Sequence, residues 1–422
     1  MNSLSTCDYK TTELVGNNNS LHHENSSSVI IANNVDLLMQ ILLHLPVKYL
    51  LVSKSVSKRW FSLISDPIFI KKHFLENPNS IPGLFMHNLL SGPYIPELEY
   101  VSLELYGSAS PPFKTLDFID DPLGVQINQS CNGLLCCRSY RGTFVDHTYY
   151  ICNPYTRQYR AIFCGSWGEK QGFVSLCSVS LAFDVLKSPH YKVVCIWLLK
   201  KTTNTGDVKF YHQIEIYSSE TASWKLSGNV FPAPRDVFYK VGEFWNGSLH
   251  WLDLSKEGKS VCFNVEQELI MEMPKPPRSD GMFFIYFGEC RGHLHLIQTH
   301  ESRTSFEILE MMDDYKGWDV KYRVNISDLT NAYPNITEDV TLQFHYLQFS
   351  VLLVEEKERK SSTNLNRVQG KVSLNLVIQV LDEVISYDLE EMGVKKIDKL
   401  SPTTNLHRRN SPFQYIETLT CV

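Results

Sequence analysis

The residues best placed by type and spacing to do chemistry are two histidines. His293 and His295 alternate within RGHLHLI, so a strand would present both imidazoles on one face, where they could ligate a metal ion. The equivalent alternating positions of two related segments hold Leu135 and Cys137, or Leu249 and Trp251. An apolar face explains that pattern better than a metal does. Cys131, Cys136 and Cys137 lack the spacing of a zinc site and are expected to be core thiols. Asp120-Asp121 and Asp313-Asp314 read as turn carboxylates, because a short acidic side chain bonds readily to nearby backbone. The chain contains no H-E-x-x-H, G-x-S-x-G, G-x-x-x-x-G-K-S/T or G-x-G-x-x-G sequence. No catalytic residue, metal or cofactor is therefore expected, and the search turns to surfaces that bind.

Those surfaces need elements to carry them. The chain has 422 residues, of which 43% are hydrophobic and 20% charged, a composition that suits two or three globular domains. Its formal net charge of -6 excludes the global basic footprint of a nucleic-acid binder. No leader-like apolar stretch opens the chain, and no later run reaches the length that crosses a bilayer. An intracellular protein without membrane contact is expected. Eleven cysteines without a C-x-x-C pair argue against a secreted disulfide framework. The N-x-S/T sequences at Asn128, Asn246, Asn325 and Asn335 are accordingly not expected to carry glycans.

Residues 1–28, rich in Asn and Ser, read as a disordered tail. From Val35 the texture becomes helical. Leu37, Leu38, Ile41, Leu42 and Leu45 recur on one broad helical face, Asn34 can cap its start, and Pro46 ends it. Two further short helices are expected around Val47, Leu50 and Leu51 and around Val56, Trp60, Leu63 and Ile64, with Asp66-Pro67 as the stop. Three helices this short must pack together around Trp60, leaving part of the first for a partner. Lys48, Lys54, Lys58, Arg59, Lys71 and Lys72 against Asp66 make the region basic without the aromatic platforms of single-strand binders, so a solvated face, or one toward an acidic protein, is the better reading.

These residues resemble an F-box, the adaptor-binding module of cullin-based ubiquitin ligase receptors. ILLHLPVKYLL and SVSKRWFSLISDPIFIKKHF carry the resemblance. It implies that Leu38, Ile41, Leu42, Leu45, Pro46, Val47 and Leu50 meet a Skp-family adaptor, and through it a cullin. The chain departs from the family pattern at Asn33-Asn34, where Leu-Pro is usual, and at Val52, where a basic residue is usual. Asn33-Asn34 leaves open an alternative, a binding scaffold outside any ligase whose F-box is weakened. An enzyme of the kelch-oxidase type is a third reading.

Beyond Phe74, prolines and glycines punctuate a connector, after which short alternating strands predominate. One phrase recurs: a glycine turn, alternating apolar residues, then strand, turn and strand. It reads NGLLCC with YYICNPYTRQYRAIF, NGSLHWLDL with SVCFNVEQELIMEM, and RGHLHLI with SFEILEMMDDYKGWDV. Units this small bury their faces by radial repetition, which predicts a β-propeller. SCNGLLC, NPYTRQYR, FDVLKSPHYKVV, IYSSETASWK, WNGSLHWL and the tail SPFQYIETL also resemble the F-box-associated domain of a large plant family, which implies a kelch-like propeller.

The expected organisation is a small three-helix F-box followed by an antiparallel β-propeller-like domain. Its segments are a tail over 1–28, the F-box over 29–75, a connector over 76–95, and a target-binding domain over 96–422. EEKERKSSTNLNRVQGK at 355–371 reads as a solvated insertion, and Phe413, Tyr415, Glu417 and Leu419 as one face of a ring-closing strand. The implied function is that of a substrate receptor of a Skp–cullin–F-box ubiquitin ligase, acting by proximity on a target protein that the sequence does not name.

Overall fold

The protein is described from a computed structural model. It describes residues 34–77, 81–88, 97–103, 113, 115–140, 148–163, 173–202, 206–232, 241–253, 259–277, 282–300, 305–325, 329, 331, 333, 349–358, 372–400 and 412–422. The tail over 1–28 lies outside these, as do residues 359–371 of the expected insertion. Residues 355–358 of that insertion are strand, paired with 372–375.

Four helices open the described chain: α1 (Val35–Leu43), α2 (Val47–Ser53), α3 (Lys58–Ile64) and α4 (Pro67–Glu76). Asn34 caps α1 as its sequence suggests, its Oδ1 accepting from the amides of Asp36 at 3.0 Å and Leu37 at 3.2 Å. Ser57 caps α3 through the amide of Trp60. The expectation of three helices is corrected at Asp66-Pro67, which starts a helix. Asp66 Oδ1 accepts from the amide of Ile68 at 2.7 Å, and Pro67 takes the first helical position, where a missing amide hydrogen costs nothing. Leu42, Leu50, Ile64 and Phe69 are fully buried at the centre of this module, and Trp60 is only half-buried against it. Two side chains cap α1 from α4 and its end: His73 Nε2 lies 2.8 Å from the Leu45 carbonyl, and Asn77 Nδ2 donates to that of Leu43.

The rest is a six-bladed antiparallel β-propeller. Blade one contains β3 (Val125–Cys131), β4 (Leu134–Ser139), β5 (Thr148–Asn153) and β6 (Gln158–Phe163). Blade two contains β7 (Phe173–Ala182), β8 (Lys192–Thr202), β9 (Val208–Ser218) and β10 (Ser223–Pro232). Blade three contains β11 (Glu243–Trp245), β12 (Ser248–Trp251), β13 (Val261–Asn264) and β14 (Leu269–Glu272). Blade four contains β15 (Met282–Cys290), β16 (His293–His300), β17 (Ser305–Met311) and β18 (Trp318–Asn325). Blade five contains β19 (Phe349–Glu358), β20 (Val372–Val380), β21 (Glu383–Asp388) and β22 (Val394–Lys399). The sixth sheet joins the two ends of the chain: β2 (Glu97–Ser102), β1 (Gly83–Asn88) and β23 (Phe413–Tyr415), in that order. The first strands of successive blades touch, β23 against β3, β3 against β7, and so on to β15 against β19, so they line the axis of the ring.

Why these residues make these blades is visible in the turns. Each turn between third and fourth strands of blades one to five holds a non-glycine residue with positive φ: Arg157, Ala222, Glu268, Tyr315 and Met392. In three blades an Asn or Asp anchors that turn by accepting two backbone amides: Asn153 from Tyr155 and Thr156, Asn264 from Glu266 and Gln267, and Asp388 from Glu390 and Glu391. Short polar side chains that mimic a turn of backbone are what such positions require. The recurring phrase in the sequence is this hairpin.

The segment 76–95, read as a connector, contains a propeller strand. Leu84, Phe85 and Met86 of β1 are fully buried, and Pro82 leads into that strand instead of marking a linker. The propeller thus begins near Gly83, well before residue 96.

Candidate functional site

The helical module carries two apolar stripes on α1. Leu38 and Leu42, one turn apart, are buried. Leu37 and Ile41, also one turn apart, are 40% and 47% exposed. On α2, Val47 and Leu50 point inward, whereas Tyr49 and Val52 are exposed. Val56, Phe61 of α3, and Ile68 and Leu75 of α4 are exposed as well. A large apolar side chain left in water forgoes about 1.5–3 kcal/mol that burial would supply. So many of them on a module of this size make it the candidate surface for another protein.

Of the residues expected at an adaptor interface, Leu38, Leu42, Val47 and Leu50 lie in the module's own core, Leu45 is half-buried, and Ile41 and Pro46 are exposed. Leu37, Tyr49 and Val52 are not among the residues expected at that interface. The available signal was the second i, i+4 pair on α1, displaced by one residue from the buried pair.

The charge of the module is basic. Lys48, Lys58, Arg59, Lys71 and Lys72 are exposed, against exposed Asp36, Asp66 and Glu76. Lys54, half-buried at the end of α2, sits with its Nζ 5.8 Å from the centre of the Phe61 ring. Burial pulls its ammonium below the ordinary lysine value. A surface of exposed apolar groups edged by cations is complementary to an apolar groove with an acidic rim.

The propeller axis is lined by polar side chains engaged in holding the blades together. Gln129 on β3 accepts from the amide of Leu181 at 2.5 Å and donates to the carbonyl of Gly242 at 2.9 Å, tying blades one, two and three. Asn128 donates to the Val179 carbonyl and Asn132 to that of Phe183. From the closing strand, Gln414 Nε2 donates to the Glu289 carbonyl at 3.3 Å. Glu243 Oε1 accepts from the amide of Glu289 at 3.1 Å, and Glu289 Oε1 accepts from the amide of Gly292 at 2.6 Å. Burial, followed by the nearby charge of Glu289, pushes the Glu243 carboxyl up to about 7. Such a carboxyl could move a proton near neutrality, but its oxygen is engaged in joining blade three to blade four.

His293 and His295 do share a face of β16, and both meet Glu310 of β17. His293 Nδ1 is 3.2 Å from one carboxylate oxygen and His295 Nε2 is 3.7 Å from the other, while Lys321 Nζ lies 3.1 Å from the first. His295 is fully buried, and desolvation pushes it down to about 4. Among the described residues no group of three side chains is arranged to hold a metal ion. Cys131, Cys136 and Cys137 are buried thiols. Asp121 and Asp314 cap turns through the amides of Leu123 and Lys316. No helix among the described residues is long and apolar enough to cross a membrane.

Comparison with known proteins agrees with this division. The F-box domain family model matches residues 34–72, and that of the F-box associated beta propeller domain matches residues 102–373. The chain is 30% identical to the F-box protein At5g07610 of Arabidopsis thaliana over 93% of each chain. It is 28% identical to the F-box protein At5g49610 of the same plant, over 81% of this chain and 93% of that one. With the F-box/kelch-repeat protein At3g17530, also of Arabidopsis thaliana, it shares 26% identity over 58% of this chain and 61% of the other.

Proposed function

From the premise that the chain belongs to the family that joins an F-box to an F-box associated beta propeller domain, we propose that it is the substrate-recognition subunit of a Skp–cullin–F-box ubiquitin ligase. The observation that carries this reading is the exposed apolar surface of the helical module, above all Leu37 and Ile41 on α1. A Skp-family adaptor covers that surface and links the chain to a cullin. The propeller holds a target protein, and the target acquires ubiquitin from a conjugating enzyme brought by the rest of the assembly. The chain's contribution is proximity: tethering raises the effective concentration of the reacting partners, and no catalytic group of its own is required. Such a receptor works inside the cell, with the propeller and the F-box as separate binding surfaces on one rigid support.

The test is the lifetime of the best co-purifying protein in cells expressing either the full chain or its Ile41→Asp form. Ile41→Asp leaves the propeller intact and places a carboxylate in the adaptor contact, so the bound target is withheld from the ligase and its half-life lengthens. Equal half-lives would reject the ligase reading and leave a binding scaffold. Asn34, which spends its side chain on capping α1 where the family usually has proline, is the feature that would favour that second reading.

A further inference from the structure

The residues that follow β23 are held on two sides. Ile416, Thr418, Leu419 and Thr420 are all buried. On one side they lie against blade one. The side-chain amide of Asn153 donates to the carbonyls of Thr418 at 2.9 Å and Thr420 at 2.8 Å. A Cβ on Gly133, in the first turn of blade one, would fall 2.6 Å from Thr418 Cγ2 and 3.0 Å from the Ile416 carbonyl oxygen.

On the other side lies the F-box. Leu419 belongs to the continuous apolar cluster that runs from Leu38, Leu42 and Phe69 of the F-box to Leu134, Phe183 and Val185 of blades one and two, with Val422 and Trp60 packed on it. Cys421 is a neighbour of Lys54, at the end of α2. The chain connection explains the location. Gly83, the first residue of β1, is paired with Tyr415, the last of β23, so the F-box joins the propeller at the point where the tail leaves it. The few residues from Asn77 to Gly83 span at most about 20 Å, which keeps the module at this end without fixing its angle.

We propose that residues 416–422 are a strap, bound to blade one through Asn153 and to the F-box through Leu419, that fixes the orientation of the F-box against the propeller. The strap makes ring closure and F-box placement a single structural event, because the same strand that completes the sixth sheet delivers the tail to the module. This orientation does not depend on which adaptor or target is bound. Its use in presenting a target at a constant distance rests on the ligase-receptor reading.

The test uses the full chain, with a donor and an acceptor dye attached through encoded unnatural residues at two exposed positions, Glu76 at the end of α4 and Met392 on blade five. Single-molecule transfer should give one narrow distance distribution. Asn153→Asp preserves the Oδ1 that anchors the 153–156 turn but sets a carboxylate against two carbonyls. Leu419→Ser weakens the other side of the strap. Each is expected to at least double the width of the distribution, with adaptor capture within twofold of the parent and a cooperative melt retained. If one variant does not fold, the other carries the test. Unchanged widths in the folded variants overturn the strap whether or not the chain proves to be a ligase receptor. A change in target lifetime without any change in width would overturn it as well.

Discussion

Phe413 lies directly opposite Phe85 across the ladder of β1 and β23, so the last strand of the chain is laid down against the first strand after the helices. The phenyl ring of Phe85 meets that of Tyr415 edge-on, with centroids 5.4 Å apart, and stacks on Phe113 at 4.4 Å. Closure is thus made of aromatic packing as well as backbone bonds, and aromatic pairs of this kind add about 0.5–1.5 kcal/mol beyond their burial.

Removal of residues 411–422 should therefore open the ring. β1 would lose its partner on one side and Ser130 the Gln414 carbonyl to which its hydroxyl donates, leaving an unpaired edge of the kind that templates association. The expected result is a lower melting temperature with oligomers on gel filtration. A monomer with an unchanged melt would show that β23 is dispensable.

Gly133→Ala and Gly292→Ala form a controlled pair. Both glycines sit in first turns of blades with nearly the same φ, +87° and +85°, but a Cβ at Gly292 meets nothing within 4 Å, whereas one at Gly133 meets the tail. The cost of the left-handed backbone, about 1–2 kcal/mol, is common to both. Gly133→Ala should be the more destabilising, by about 1–3 kcal/mol of overpacking, in denaturant titration. Equal losses would mean that the tail yields freely.

Ile41→Asp and Leu42→Asp should separate docking from folding. Ile41 is exposed, so its replacement should leave the melt of the helical module within about 0.5 kcal/mol while abolishing capture of a Skp-family adaptor. Leu42 is fully buried, and an unpaired carboxylate there costs several kcal/mol. That variant should lose helical signal along with capture. Capture retained by Ile41→Asp would remove the exposed stripe from the interface.

The pH dependence of stability should carry the signature of Glu243. Its folded pKa of about 7 lies above the ordinary glutamate value of about 4.3, so the folded state holds the proton more tightly. Its contribution is fully present below the ordinary value and is lost as pH rises through about 7. His212, His250 and His295, each pushed down to about 4 by burial, act in the opposite sense and destabilise the fold as pH falls below about 6.5. Glu243→Gln isolates the carboxyl, keeping an oxygen for the Glu289 amide. Relative to the parent, its melting temperature should rise between pH 5 and pH 8, and parallel curves would show that the buried carboxyl does not titrate.

What the sequence determined by itself was local. Asn34, Ser57 and Asp66 cap helices because a short side-chain oxygen reaches an amide two or three residues away, and Asn153, Asn264 and Asp388 anchor turns by the same short reach. Repetition of that hairpin predicted a propeller, because each unit is too small to bury its own face. Tertiary structure decided everything that depends on direction. The run Leu37, Leu38, Ile41, Leu42 fixes an apolar arc on α1, but which half of the arc turns inward is set by α2, α3 and α4, and the answer puts Leu37 and Ile41 outside. Pro67 is compatible with ending one helix and with starting another, and Phe69 and Ile70, buried against the earlier helices, favour the start. β1 and β23 are separated by more than three hundred residues, and no local pattern pairs them. Nor does any local pattern place Leu419 in one apolar cluster with the F-box, because that cluster forms only after the ring has closed and brought β23 beside β1.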